Sequence, residues 1–128
     1  MTVLVILGLL AAILFPRFMR ARFRAHHNAC LQSEKNIATA LESYSIDNEH
    51  EYPSNLPVLT LPVSGVAYIS SLPTCSSAPG AAYNTTYEVS GDRKVYTISC
   101  PGIHYVQLPG EIRQFYPQYH NNGELIDR

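Results

Sequence analysis

Three cysteines, five histidines and ten carboxylates are the side chains of this 128-residue sequence that can bond a metal, attack an electrophile or move a proton. Cys30, Cys75 and Cys100 are an odd number, so the simplest oxidised arrangement is one pair and one leftover. Cys75 and Cys100 are the natural pair, because both lie in the Pro-rich, turn-rich C-terminal half. Closing a loop of about 25 residues stabilises the fold by roughly 3.5 kcal/mol through lost chain entropy. Cys30 falls within a helical pattern, as a buried thiol or, alternatively, as one half of a bridge between subunits. His26 and His27 are adjacent and diverge by about 100° around a helix, so they do not form the i, i+4 pair of a helical zinc site. His104 follows Cys100 by four and makes a metal set with Cys75 conceivable, but a disulfide is favoured in an oxidising compartment. His50 and His120 stand in turn-like contexts and read as solvent-exposed. No metal ligand is assigned, and no cofactor is expected. For calcium, Asp47, Glu49 and Glu51 are the nearest carboxylates, without a recognisable spacing. No Gly-x-Ser-x-Gly elbow, phosphate loop or paired-carboxylate motif is present, so catalysis is not expected.

The elements that must carry these residues are sharply asymmetric. Met1 to Phe15 reads MTVLVILGLLAAILF, and no acidic residue precedes Glu34, whereas Arg17, Arg20, Arg22 and Arg24 crowd the stretch after the apolar run. A helix of that run alone, at about 1.5 Å per residue, falls short of a hydrocarbon layer of about 30 Å. A cleaved secretory signal fits poorly, because its positive charge belongs before the apolar run. Arginines after a span favour a cytoplasmic C-terminal side, in conflict with a disulfide-bearing outer domain. Basic residues upstream of Met1 are the expected resolution. From Arg17 to about Asp47 there is neither Gly nor Pro, and Cys30, Ile37, Leu41 and Tyr44 recur at helical spacing. That predicts an amphipathic helix ending near Asn48, before the Tyr52-Pro53 step. Gly8 and Pro16 weaken the apolar half, and the segment between them is a candidate for local unwinding.

Pro53 to Gly80 reads as an ordered loop, since Pro53, Pro57, Pro62, Pro73 and Pro79 interrupt it. Tyr83 to Ser90 and Lys94 to Cys100 are rich in β-branched and aromatic residues, with Gly91-Asp92-Arg93 between them, which predicts a hairpin. After Cys100 the turn-rich tail supplies a short third strand or a strap across the sheet. Asn84-Thr85-Thr86 forms a glycosylation-type sequon, and Asn84 is the acceptor it nominates. The net charge of -1 gives no overall pull toward nucleic acid, and none is expected as a partner.

Taken together, LVILGLLAAILFP followed by RFMRARFRAHHNACLQSEKNIATALESYSIDNEHEYP resembles the type IV pilin and type II secretion pseudopilin superfamily, specifically over Met1 to Pro53. More loosely, YISSLPTC, TYEVS and YTISCPG resemble the variable domain of its pseudopilin-like branch, including that branch's C-terminal cysteine pair. The family's processing site and its Phe-Thr-Leu-Ile-Glu opening are missing, and Met1 falls inside the family's hydrophobic segment. A truncated or misplaced start is therefore expected, and the role of that glutamate is placed on no residue here.

The resemblance implies an α+β, pilin-like fold: a long N-terminal α-helix packed on a small antiparallel β-sheet, with a Pro-rich loop and a C-terminal disulfide region. Residues 1-16 are expected to form the membrane or filament-core segment, 17-50 its amphipathic continuation, and 51-128 a small extracytoplasmic domain. In that scheme Val3, Leu4, Val5, Ile6, Leu7, Leu9, Leu10, Ile13, Leu14 and Phe15 pack the filament core. Gly8 and Pro16 soften the helix, and Arg17, Arg20, Arg22 and Arg24 form an interfacial basic belt facing lipid phosphates or the Glu34 and Glu42 of neighbours. The implied function is self-polymerisation into a pilus-like filament, with the inner membrane and an assembly machinery as partners and a cell-surface or periplasmic filament as the final location. A type II secretion pseudopilus subunit is the alternative within the superfamily; a singly anchored periplasmic binding module is the alternative outside it.

Overall fold

A computed structural model of the chain describes residues 2-62, 65, 67-78, 80-102 and 118-126, with the side chains at 14, 16, 20 and 125 outside that description. One α-helix, α1 (Thr2–Asp47), runs unbroken for 46 residues, about 69 Å. The predicted soft segment between Gly8 and Pro16 is helical throughout. Proline lacks an N–H, so a single i→i−4 bond, to the carbonyl of Ala12, is missing there, and one lost bond does not break a helix this long. The end comes where the composition places it. Asn48 Nδ2 donates to the carbonyl of Tyr44 at 2.8 Å, and the His50 N–H reaches the carbonyl of Ser45 at 2.8 Å. Glu49 and His50 then take left-handed conformations, φ 55° and 61°. Each such residue costs about 1–2 kcal/mol without a glycine.

The second half of α1 buries a stripe at helical spacing: His27, Cys30, Glu34, Ile37, Ala38, Leu41 and Ser45. Against it packs a core of Leu56, Leu59, Tyr83, Tyr96 and Ile98. Leu56 and Leu59 come from a short 3₁₀ helix, Leu56–Thr60, begun by Pro57 inside the Pro-rich loop. Burying each of these leucines contributes about 1.5–3 kcal/mol, so the loop is part of the core.

Among the described residues the sheet has four strands in the order β1 (Tyr87–Val89), β2 (Tyr96–Ser99), β3 (Gln118–His120) and β4 (Leu125–Ile126), every neighbouring pair antiparallel. The predicted hairpin is β1–β2, in the register Tyr87↔Ile98 and Val89↔Tyr96. Its first strand is shorter than the β-rich run, because Tyr83–Thr85 forms a 3₁₀ turn that drops Tyr83 into the core. The tail supplies the third strand and adds a fourth, while residues 103-117 lie outside the described residues. His120, expected in a turn, sits half-buried on β3, its Nδ1 3.0 Å from Thr97 Oγ1 on β2.

The turn of the hairpin also clasps the helix exit. Arg93 accepts from the Tyr52 N–H at 2.9 Å through its carbonyl and pairs with Glu51 through its guanidinium. Lys94 Nζ lies 3.5 Å from the carbonyls of both Glu49 and His50. The chain is thus an α+β molecule: one long N-terminal helix whose second half carries a small antiparallel sheet.

Candidate functional site

Among the described residues, the large apolar side chains of the first half of α1 are exposed. Val3, Leu4, Val5, Ile6, Leu7, Leu10 and Ile13 are all more than half exposed, Leu9 is 62% exposed and Phe18 68%. These residues surround the helix on every side and form no stripe. A helix apolar all round is stable only in an apolar surrounding, lipid or other helices. Its first part is long and apolar enough to cross a membrane, and none of that stretch is buried by the rest of the chain. Of the expected core residues, Leu14 has its side chain outside the described set, as do Pro16 and Arg20.

Below the apolar stretch, Arg17, Arg22 and Arg24 are exposed. Arg17 and Arg24 flank a shallow recess with Ala21, Ala25 and Asn28, so they share one face of the helix. Glu42 is exposed and open to a partner, but Glu34 is fully buried, which corrects its expected role as an acid offered to neighbouring subunits. The cause is its position on the buried stripe, four residues after Cys30 and three before Ile37.

The two cysteines expected to pair do come together, and Cys30 joins them. Cys75 Sγ is 3.4 Å from Cys100 Sγ and also 3.4 Å from Cys30 Sγ, and the three sulfurs lie within 4.8 Å of one another. All three are buried. Cys30 is therefore neither isolated in its helix nor available at the surface for a bridge between subunits. Around the sulfurs stand hydroxyls: Ser77 Oγ is 3.1 Å from Cys75 Sγ, Ser76 Oγ 3.9 Å from Cys30 Sγ, and Tyr83 Oη donates toward Cys100 Sγ at 3.9 Å. Contact with the Cys30 thiol and then burial hold the Cys100 thiol well above its ordinary pKa. Burial likewise pushes the Tyr83 hydroxyl far up, with its hydrogen bond at Cys30 second. Gly102 is packed so closely that a Cβ there would overlap Cys75 Sγ and meet Ser77 Oγ at 2.6 Å. Sequence reasoning missed this convergence, and the odd cysteine count was the signal that pointed to it.

Asn84 is exposed, and its Oδ1 accepts from the Leu56 N–H at 3.1 Å, which ties the short 3₁₀ helix to the hairpin. Of the calcium carboxylates, Asp47 accepts from Tyr68 Oη at 2.9 Å and Glu51 pairs with Arg93, which lines the same recess. Tyr52 and Tyr96 meet edge to face with ring centroids 4.6 Å apart, a packing contact of the core. His104 lies outside the described residues.

Comparison with protein-family models, with curated proteins and with solved structures finds no match in any of the three.

Proposed function

We propose that this chain is a non-catalytic structural subunit that polymerises into a type IV pilus-like filament through its apolar helix. The observation that carries the reading is the division of α1: an apolar half exposed on all sides joins, without a break, a half fixed to a folded domain. Such a half-helix rests in lipid before assembly and packs on identical helices afterwards, because neither surrounding demands polar partners. A head-to-tail contact that does not close on itself then gives a helical filament. In this scheme Arg17, Arg22 and Arg24 sit at headgroup level before assembly and face carboxylates such as Glu42 of neighbours within the filament. The domain and its loops form the filament surface. The alternative within the same scheme is a subunit of the short pseudopilus of a type II secretion system, which pushes substrates outward instead of forming a long surface fibre.

The test is electron microscopy of material sheared from cells that express the gene. Filaments labelled by an antibody against the C-terminal domain are expected, and Leu9→Arg should abolish them while the domain stays folded by circular dichroism. Filaments persisting in Leu9→Arg refute the core-helix role. A membrane-confined monomer in the unmutated protein, at native expression, refutes polymerisation and leaves an anchored binding module.

A further inference from the structure

The three cysteines come from three separate parts of the chain: Cys30 from the buried stripe of α1, Cys75 from the loop before the hairpin, and Cys100 from the end of β2. Each is at most 1% exposed. Three thiols meeting at one buried point is an unusual use of residues if packing alone is served, since alanine, valine or leucine fill a core without a reactive group. It is also poor use for a disulfide, which consumes two sulfurs at about 2.05 Å and strands the third. The observed separations of 3.4 Å are close to the edge of a tetrahedron of sulfurs around one ion, about 3.8 Å for metal–sulfur bonds of about 2.3 Å.

We propose that Cys30, Cys75 and Cys100 form a thiolate site for one thiophilic d10 cation, Zn2+ or Cu+, that ties the long helix to the loop and the sheet.

The surroundings suit such a site. Hydroxyls that donate to thiolate sulfur orient and stabilise it, and Ser77 Oγ and Tyr83 Oη stand 3.1 Å from Cys75 Sγ and 3.9 Å from Cys100 Sγ, while Ser76 donates to the carbonyl of His26. The backbone at Gly102 runs so close to the cluster that an added Cβ would overlap Cys75 Sγ. Binding converts three thiols to thiolates and releases three protons for one cation, with no change of oxidation state. A three-sulfur set completes a trigonal Cu+ site. Zn2+ takes a fourth donor, and Ser77 Oγ, 3.1 Å from Cys75 Sγ, is an oxygen within reach. The ion would be structural, a cross-link among three segments far apart in sequence.

The experiment uses the full-length chain in detergent micelles, reduced, stripped of metal with a chelator and confirmed as folded by circular dichroism. Titration with Co2+, an optical stand-in for zinc, is expected to give thiolate-to-cobalt charge-transfer absorption saturating at about one equivalent per chain, bleached by Zn2+ or Cu+. Whichever of the two ions displaces the other at equal concentration is the better fit, and either supports the site. Cys75→Ser should weaken binding by more than about 100-fold and Ser77→Ala by about 10-fold. Absence of the charge-transfer band in the folded, reduced, unmutated chain overturns the proposal, without reliance on any variant. Undiminished binding in Cys75→Ser overturns it as well, because the metal then sits elsewhere.

Discussion

Asp92 shows how much one residue sets in this small domain. Its carboxylate accepts from the Ser90 hydroxyl and, at 3.2 Å, from the Lys94 N–H, and the Ser90 contact is the larger cause holding its pKa below the ordinary carboxylate value. A carboxyl whose pKa is lower folded than unfolded contributes stability that is fully present above the unfolded pKa and is lost as pH falls through the folded one. The hairpin turn should therefore hold unchanged from neutral pH down to the carboxylate range and loosen in acid. Amide protection factors at Lys94 and Val95, followed by NMR across that range, should fall in the unmutated chain and stay flat in Asp92→Asn; an identical acid dependence in both removes Asp92 as the cause. The sequence announced this turn through Gly91-Asp92-Arg93, because turn chemistry is local. It gave no hint that Arg93 would take φ 55° and clasp Glu51 and Tyr52, since those partners arrive through the helix exit.

Among the elements, α1 is two helices in one by environment. Leu41 is completely buried beside Ile37 and the sheet, whereas Leu9 is solvent-facing. Leu41→Ala should destabilise the domain by about 2–5 kcal/mol, through lost burial and the cavity left behind. Leu9→Ala should change domain unfolding by less than about 0.5 kcal/mol, since it removes no contact within the chain. Chemical denaturation of both variants in detergent, followed by tyrosine fluorescence, checks the contrast; equal effects would mean that the apolar half packs on the domain. The helix and its end were legible from the absence of Gly and Pro after Arg17 and from the Asp47-Asn48 and Tyr52-Pro53 signals. The boundary between its halves was less so. The sequence places it at residue 16, by apolar content, while burial begins at His27, where the domain reaches the helix.

For the molecule as a whole, two forces compete for the membrane surface: apolar insertion of the first half of α1 and attraction of Arg17, Arg22 and Arg24 to anionic lipid. Each arginine near an anionic surface contributes about 1 kcal/mol, screened by salt, whereas each large apolar side chain buried contributes about 1.5–3 kcal/mol, unscreened. Insertion should dominate. The chain reconstituted with phosphatidylserine-containing vesicles is expected to float with them on a density gradient at both low and high salt, while a variant with Leu9→Arg and Leu10→Arg should be released at high salt. Release of the unmutated chain by salt would make it a peripheral protein held by its arginines.

An apolar run, a helical period, a proline-studded loop and a β-rich pair around a turn are one-dimensional patterns, and each was readable because backbone preference and side-chain periodicity act between near neighbours. The α+β class and the order of its parts follow from them. Which face of α1 the domain covers, and so the burial of Glu34 and His27, depends on where the sheet docks, and that is settled by the packing of Ile37 and Leu41 against Leu56, Leu59 and Ile98. The meeting of Cys30 with Cys75 and Cys100 belongs to the same class of fact. Those sulfurs are 45 and 25 residues apart along the chain and 3.4 Å apart in space. Spacing in sequence carries no information about such a contact, because only the closed core brings the three segments to one point.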